Sequence, residues 1–126
     1  MIGAVLLAAA LSGCRHTDVA REYHASSHYP SGKIHTESFV KNFVLDGQAV
    51  TYYENGAKMS EANYKEGVLD GKSIAYYENG AKKAEAEYKD GVLNGTSINW
   101  SESGHEQSRA RFTNGVLQDT NNTKAQ

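Results

Sequence analysis

"YYENGAK" stands at Tyr52–Lys58 and again at Tyr76–Lys82, 24 residues further on. An identical heptapeptide used twice is either a site used twice or a building unit used several times. The flanking sequence decides between them. Laid on itself at the same offset, the chain puts Gly32, Gly56, Gly80 and Gly104 in one column. Gly67, Gly91 and Gly115 fall in a second column, and Gly47, Gly71 and Gly95 in a third. Tyr29, Tyr53 and Tyr77 align, as do Tyr52, Tyr76 and Trp100, and Tyr64, Tyr88 and Phe112. Val44-Leu45, Val68-Leu69, Val92-Leu93 and Val116-Leu117 complete the register. A period of this size is the mark of a repeat architecture. The heptapeptide is a building unit.

Its chemistry names the unit. The first two glycine columns hold Asn55-Gly56, Asn79-Gly80, Glu66-Gly67, Asp90-Gly91 and Asn114-Gly115. Asn-Gly and Asp-Gly suit a two-residue hairpin turn, whose central residues both need positive φ. The spacing between turns then leaves strands of ordinary length, so successive hairpins share a turn and form an antiparallel meander. A two-residue turn at Asn79-Gly80 sets Tyr76 opposite Lys83. One face then carries Ala75, Tyr77, Ala84, Ala86 and Tyr88, and the other Ile74, Tyr76, Lys83, Glu85 and Glu87. The alternation in "KKAEAEY" has the period of a half-exposed strand. A helix there is too short between its flanking glycines to stand alone. The third glycine column falls inside strands, where a missing side chain lets a neighbouring aromatic lie over the backbone.

Composition agrees with a thin structure. Hydrophobic residues make up 39% of the 126, and many of them sit in the first dozen positions. The more polar remainder cannot fill a thick two-layer core. The formal charge of -2 gives no basic excess for a nucleic-acid partner. A single cysteine, Cys14, excludes an intrachain disulfide and a cysteine metal site.

The apolar run Met1–Ala10 is shorter than a membrane-spanning helix and has the length of a secretory signal core. Followed by Leu11, Ser12, Gly13 and Cys14, it resembles the bacterial lipoprotein signal. That resemblance implies lipidation of Cys14, with Leu11, Ser12 and Gly13 as recognition residues. No Lys or Arg precedes the apolar run, a departure from the pattern. The resemblance also implies an envelope location, and by the family's sorting rule Arg15 after the cysteine is compatible with the outer membrane where the host has one. Residues 14–28 are polar and are expected to form a flexible tether. His24 and His28 lie four apart, a spacing that would suit a metal pair on a helix, but no third ligand accompanies them. No metal and no cofactor is expected.

The repeat itself resembles the variant class of the MORN repeat. Its residues here are Tyr64, Gly67, Gly71, Tyr76, Tyr77 and Asn79-Gly80, then Tyr88, Gly91, Gly95 and Trp100. The resemblance implies an all-β, single-layer meander over residues 29–118, after a signal at 1–13 and the tether at 14–28, with a disordered tail at 119–126. The ends of the array depart from it: Phe43, Ser101 and Asp119 stand where Gly, Tyr and Gly are expected. The same class occurs in YwqK-type antitoxins and in bacterial lipoproteins. It implies a non-catalytic protein that binds another protein, a toxin being one candidate. The alternative is an envelope spacer without a toxin partner. Residues that break the repeat are the better functional candidates. Trp100, Arg109 and Arg111, with the repeated Tyr53 and Tyr77, make up the expected protein-binding surface. His105 near Ser101 and Ser103 lacks an acid placed to orient it, so no catalytic residue is assigned.

Overall fold

The structure, a computed structural model, describes residues 21–122. Nine strands run in order: β1 Glu22–His28, β2 Ile34–Lys41, β3 Val44–Tyr52, β4 Lys58–Lys65, β5 Val68–Tyr76, β6 Lys82–Lys89, β7 Val92–Trp100, β8 Glu106–Thr113 and β9 Val116–Asn122. They form one antiparallel sheet in which each strand pairs only with its neighbours in sequence. The meander expected from the repeat is the observed architecture. It also runs past the expected boundaries at both ends. Residues 22–28, assigned to the tether, form β1, and residues 119–122, assigned to the tail, belong to β9. Backbone pairing explains both. Strand β1 finds ladder partners along β2 from Glu22↔Lys41 to His28↔Ile34, although only Ala25 among its residues is even half-buried. Polar composition disguised a strand that needs no core. Leu11, Ser12, Gly13 and Cys14 lie outside the described residues.

Two kinds of turn alternate along the edges. Asn42-Phe43, Glu66-Gly67, Asp90-Gly91 and Asn114-Gly115 are two-residue turns with positive φ at both positions, as mirror-image turns require. The other column differs from expectation. At Tyr77–Ala81 the Gly80 N–H donates to the Tyr77 carbonyl at 2.9 Å, and the Tyr77 N–H donates to the Ala81 carbonyl at 2.8 Å. Only Gly80 has positive φ there, at 86°. This is a three-residue loop ending in a left-handed glycine. Asn79 stays out of the left-handed region, and its Oδ1 accepts the Ala81 N–H at 2.9 Å. The loop shifts the register by one, so Tyr76 pairs with Lys82, and Lys83 becomes the bulged residue. Beyond the bulge the expected pairing returns, with Ala75↔Ala84 and Ile74↔Glu85.

The third glycine column makes bulges. Gly47, Gly71 and Gly95 have φ of 126°, 111° and 136°, and the ladder slips by two residues beside each. A Cβ on Gly95 would lie 2.7 Å from Glu87 Cβ, and one on Gly47 3.0 Å from Phe39 Cβ. At Gly71 the nearest atom would be Asn63 Cβ, at 3.3 Å. The glycines therefore clear the residue on the preceding strand. At Gly47 that residue is the expected aromatic, Phe39, whereas at Gly71 and Gly95 it is Asn63 and Glu87.

The sheet has no second layer. Val50 is the buried hydrophobic residue among those described, at 8% exposure, and no large side chain is fully buried. One face is floored by small residues such as Ala49, Ala62, Ser73, Ala86, Ser97 and Ala110, paired across successive strands. Cohesion comes from neighbour-to-neighbour terms, as in other quasi-one-dimensional arrays. Both edges add to them. Tyr29, Tyr53 and Tyr77 each donate their hydroxyl to the carbonyl one repeat on, at Tyr52, Tyr76 and Trp100, over 2.7, 2.8 and 2.9 Å. At the opposite edge Gly67, Gly91 and Gly115 donate their N–H to Leu45, Leu69 and Leu93 one repeat back.

A candidate protein-binding surface

The face opposite the small residues carries a charged ladder. Even-numbered strands contribute Glu37, Glu61, Glu85 and Arg109, and odd-numbered strands Val50, Ile74 and Ile98 between them. Each carboxylate is tied down by the repeat. Tyr52 donates its hydroxyl to Glu37 Oε2 at 2.8 Å. Tyr76 donates to Glu61 Oε1 at 2.6 Å, while Lys58 Nζ holds Glu61 Oε2 at 2.8 Å. Those two donors, the Lys58 ammonium first, keep the Glu61 carboxyl below its ordinary value. Burial, together with the bond to Glu61, pushes the Tyr76 hydroxyl up to about 12.

At the third step the pattern changes. Trp100 takes the slot of Tyr52 and Tyr76 and has no hydroxyl to offer Glu85. Lys72 fills the place, its Nζ 3.1 Å from Glu85 Oε1, and Lys82 takes Oε2 at 2.5 Å. The Lys82 ammonium also lies 5.7 Å from the Trp100 ring centroid, a cation–π distance.

In the last repeat the ion pair is inverted. Lys58 and Lys82 align with Glu106, and Glu61 and Glu85 align with Arg109. Arg109 grips Glu106 with two parallel bonds, Nε to Oε1 at 2.9 Å and Nη2 to Oε2 at 2.7 Å. The fork keeps the Glu106 carboxyl low and the Arg109 guanidinium high. Two residues on, Arg111 stands where Glu87 stood and makes no ion pair among the described residues. It faces Asp119 and Thr96 across the neighbouring strands. A shallow concavity of about 350 Å³ lies here, lined by Thr96, Arg109, Arg111, Asp119 and Asn121 among others. Arg109 and Arg111 are exposed, and Trp100 is half-buried.

The five residues singled out from sequence therefore divide. Trp100, Arg109 and Arg111 share the charged face at the end of the array. Tyr53 and Tyr77 lie on the other face, with their hydroxyls committed to the next repeat. Glu106, not among those five, belongs with the first group. The signal for it lies in the column Lys58, Lys82, Glu106.

Two other clusters carry less. Ser101, Ser103 and His105 do meet: Ser101 Oγ and Ser103 Oγ lie 2.9 Å apart, and Ser103 Oγ and His105 Nδ1 3.0 Å apart. Their turn is exposed, and the nearby Glu106 is spent on Arg109. The bonds close the turn, with the His105 N–H donating to Ser101 Oγ at 3.2 Å. His24 and His28 sit on a strand, not a helix, so four residues separate them by about 13 Å. That is too far for a shared ion. His24 instead packs against Phe39 with the rings tilted, centroids 3.9 Å apart.

A family model described as the MORN repeat variant matches residues 45–66 and 69–90. The matched pieces take in most of β3 with β4, and most of β5 with β6, the regular middle of the array. Neither a curated protein nor a solved structure matches the chain.

Proposed function

We propose that this sheet of MORN-type repeats is a non-catalytic binding protein, held at the bacterial envelope by a lipid on Cys14. Its contact surface is the end of the charged face formed by Trp100, Arg109 and Arg111. One observation carries the reading: three residues that break the repeat, Trp100, Arg109 and Arg111, fall together on one face at the end of the array. Tryptophan and arginine are the side chains most often responsible for binding energy at protein interfaces. The Arg111 guanidinium, without an ion-pair partner among the described residues, favours a partner with a carboxylate at the contact. The likeness to YwqK-type antitoxins makes a toxin the first partner to try.

The experiment is capture from an envelope extract with the full chain and with an Arg111→Ala, Trp100→Ala variant. A partner retained by the first and lost by the second supports the surface. A partner retained by both sinks this surface but not the binding role. No partner for either favours a spacer at the envelope. Lipidation is tested separately by the mass of the native protein against Cys14→Ser.

A further inference from the structure

The sequence contains four Asn-Gly pairs, at Asn55-Gly56, Asn79-Gly80, Asn94-Gly95 and Asn114-Gly115. Such pairs are prone to deamidation, because a glycine nitrogen can approach the preceding side chain without a Cβ in the way. The glycine nitrogen attacks the asparagine Cγ, and ammonia leaves. The resulting five-membered imide is opened by water to aspartate or isoaspartate. The reaction needs the asparagine side chain to swing free, and the fold treats the four side chains differently.

Three are pinned. Asn55 Oδ1 accepts the Ala57 N–H at 2.8 Å, and Asn79 Oδ1 accepts the Ala81 N–H at 2.9 Å. The amides of these two also donate to the next repeat, at the carbonyls of Glu78 and Glu102. Asn94 Oδ1 accepts the Asn114 N–H at 3.1 Å. The side chain of Asn114 makes no hydrogen bond among the described residues, and the residue is exposed. The glycine N–H does not separate the three turn sites, since Gly56, Gly80 and Gly115 all donate to a carbonyl at 2.8 or 2.9 Å.

We infer that Asn114 is a site of selective deamidation in the folded protein. The fold accepts the aspartate product, because Asp90 already occupies the equivalent turn. Asp90-Gly91 has φ of 49° and 78°, and Asn114-Gly115 has 49° and 77°. Isoaspartate adds a backbone atom and is incompatible with the Gly115 bond to Leu93. Of the two other turns of this type, one carries an internal control. Asn42 is followed by Phe43, whose Cβ hinders the attack. None of this depends on the charged face or on a binding partner.

The test is to age the full chain in warm, mildly alkaline buffer, folded and in urea, and to read each site by peptide mass. In the folded protein Asn114 leads the other three sites by about tenfold, because each competing side chain must first break one or two hydrogen bonds. In urea the lead collapses. Any of Asn55, Asn79 or Asn94 keeping pace in the folded state overturns the inference. So does an absence of conversion at every site, or a lead that survives unfolding. An Asn114→Asp variant with an unchanged melting temperature supports the fit of the aspartate product; a lowered one overturns that part.

Discussion

The third repeat, with Tyr77 and Gly95, and the fourth, with Ser101 and Asp119, follow the same order of strands and turns but differ in their side chains and in one bulge. In the third, Tyr77 reaches the next repeat, Gly95 yields space to Glu87, and Glu85 is closed off by two lysines. In the fourth, Ser101 replaces the tyrosine, Asp119 replaces the glycine, and the ion pair runs the other way. The bulge shrinks with it, from a slip of two residues beside Gly95 to a slip of one near Asp119. The tyrosine bonds that carry the array forward stop in this repeat. Trp100, Arg109 and Arg111 lie on the charged face of the same repeat.

The largest effect that would break this contrast is at the bulge. Gly95→Ala places a Cβ against Glu87 Cβ at a φ that side chains avoid, and is expected to cost about 2–4 kcal/mol. Gly80→Ala meets no atom within 4 Å at φ 86°, so it carries only the left-handed penalty of about 1–2 kcal/mol. Asp119→Gly is expected to change little. Thermal melts of the three variants decide; equal losses at 95 and 119 would end the comparison.

Next come the inter-repeat bonds. Tyr77→Phe removes the donor to the Trp100 carbonyl and is expected to destabilise by about 1 kcal/mol. Tyr53→Phe should match it, being the same bond one repeat earlier. Ser101→Ala breaks only bonds within its own exposed turn, and a loss below about 0.5 kcal/mol is expected. Denaturant midpoints read all three.

Acid sharpens the contrast in another way. Glu61 and Glu85 are held below the ordinary value of 4.5, each by its nearest lysine first. A carboxyl lower in the folded than in the unfolded chain stabilises the fold above the unfolded value. That contribution is lost as pH falls through the folded value. Melting temperature should therefore fall below about pH 4.5, and Glu61→Gln should flatten the fall. Glu106→Gln should flatten it less, because its pair with Arg109 is more exposed and screened by salt.

Much of the fold was legible because the chain is its own alignment. Columns of Gly, Tyr and Val-Leu set out the strands, their order and both faces. The turn at Asn79-Gly80 differs from the two-residue hairpin expected because Asn-Gly serves two loop types. Only the hydrogen bond from the Ala81 N–H to the Asn79 side chain separates them. Strand β1 was missed because "EYHASSH" shows no apolar alternation, and a sheet edge held by backbone bonds requires none. The candidate surface was half legible. Broken columns exposed Trp100, Arg109 and Arg111. Tyr53 and Tyr77 recur in a column with Tyr29, and that recurrence points to an internal role. Phe43 could be noted as a departure from glycine, but not that it is 73% exposed at φ 66°.

The smallest expected effect on stability tests the contrast most directly. Exchanging the last pair, Glu106→Lys with Arg109→Glu, restores the polarity of Lys58–Glu61 and Lys82–Glu85. The swapped pair can form across the same separation at an exposed site, where ion pairs contribute little, so the melting temperature should stay close to the parent's. Trp100 and Arg111 are untouched, and the fold is intact. If the fourth repeat is a contact surface, capture of the partner should drop sharply while the melt is unchanged. If it is only a cap, neither measurement should move. A marked loss of stability would mean that the bidentate grip of Arg109 on Glu106 holds the sheet's end together, and the division of labour between the two repeats would fall.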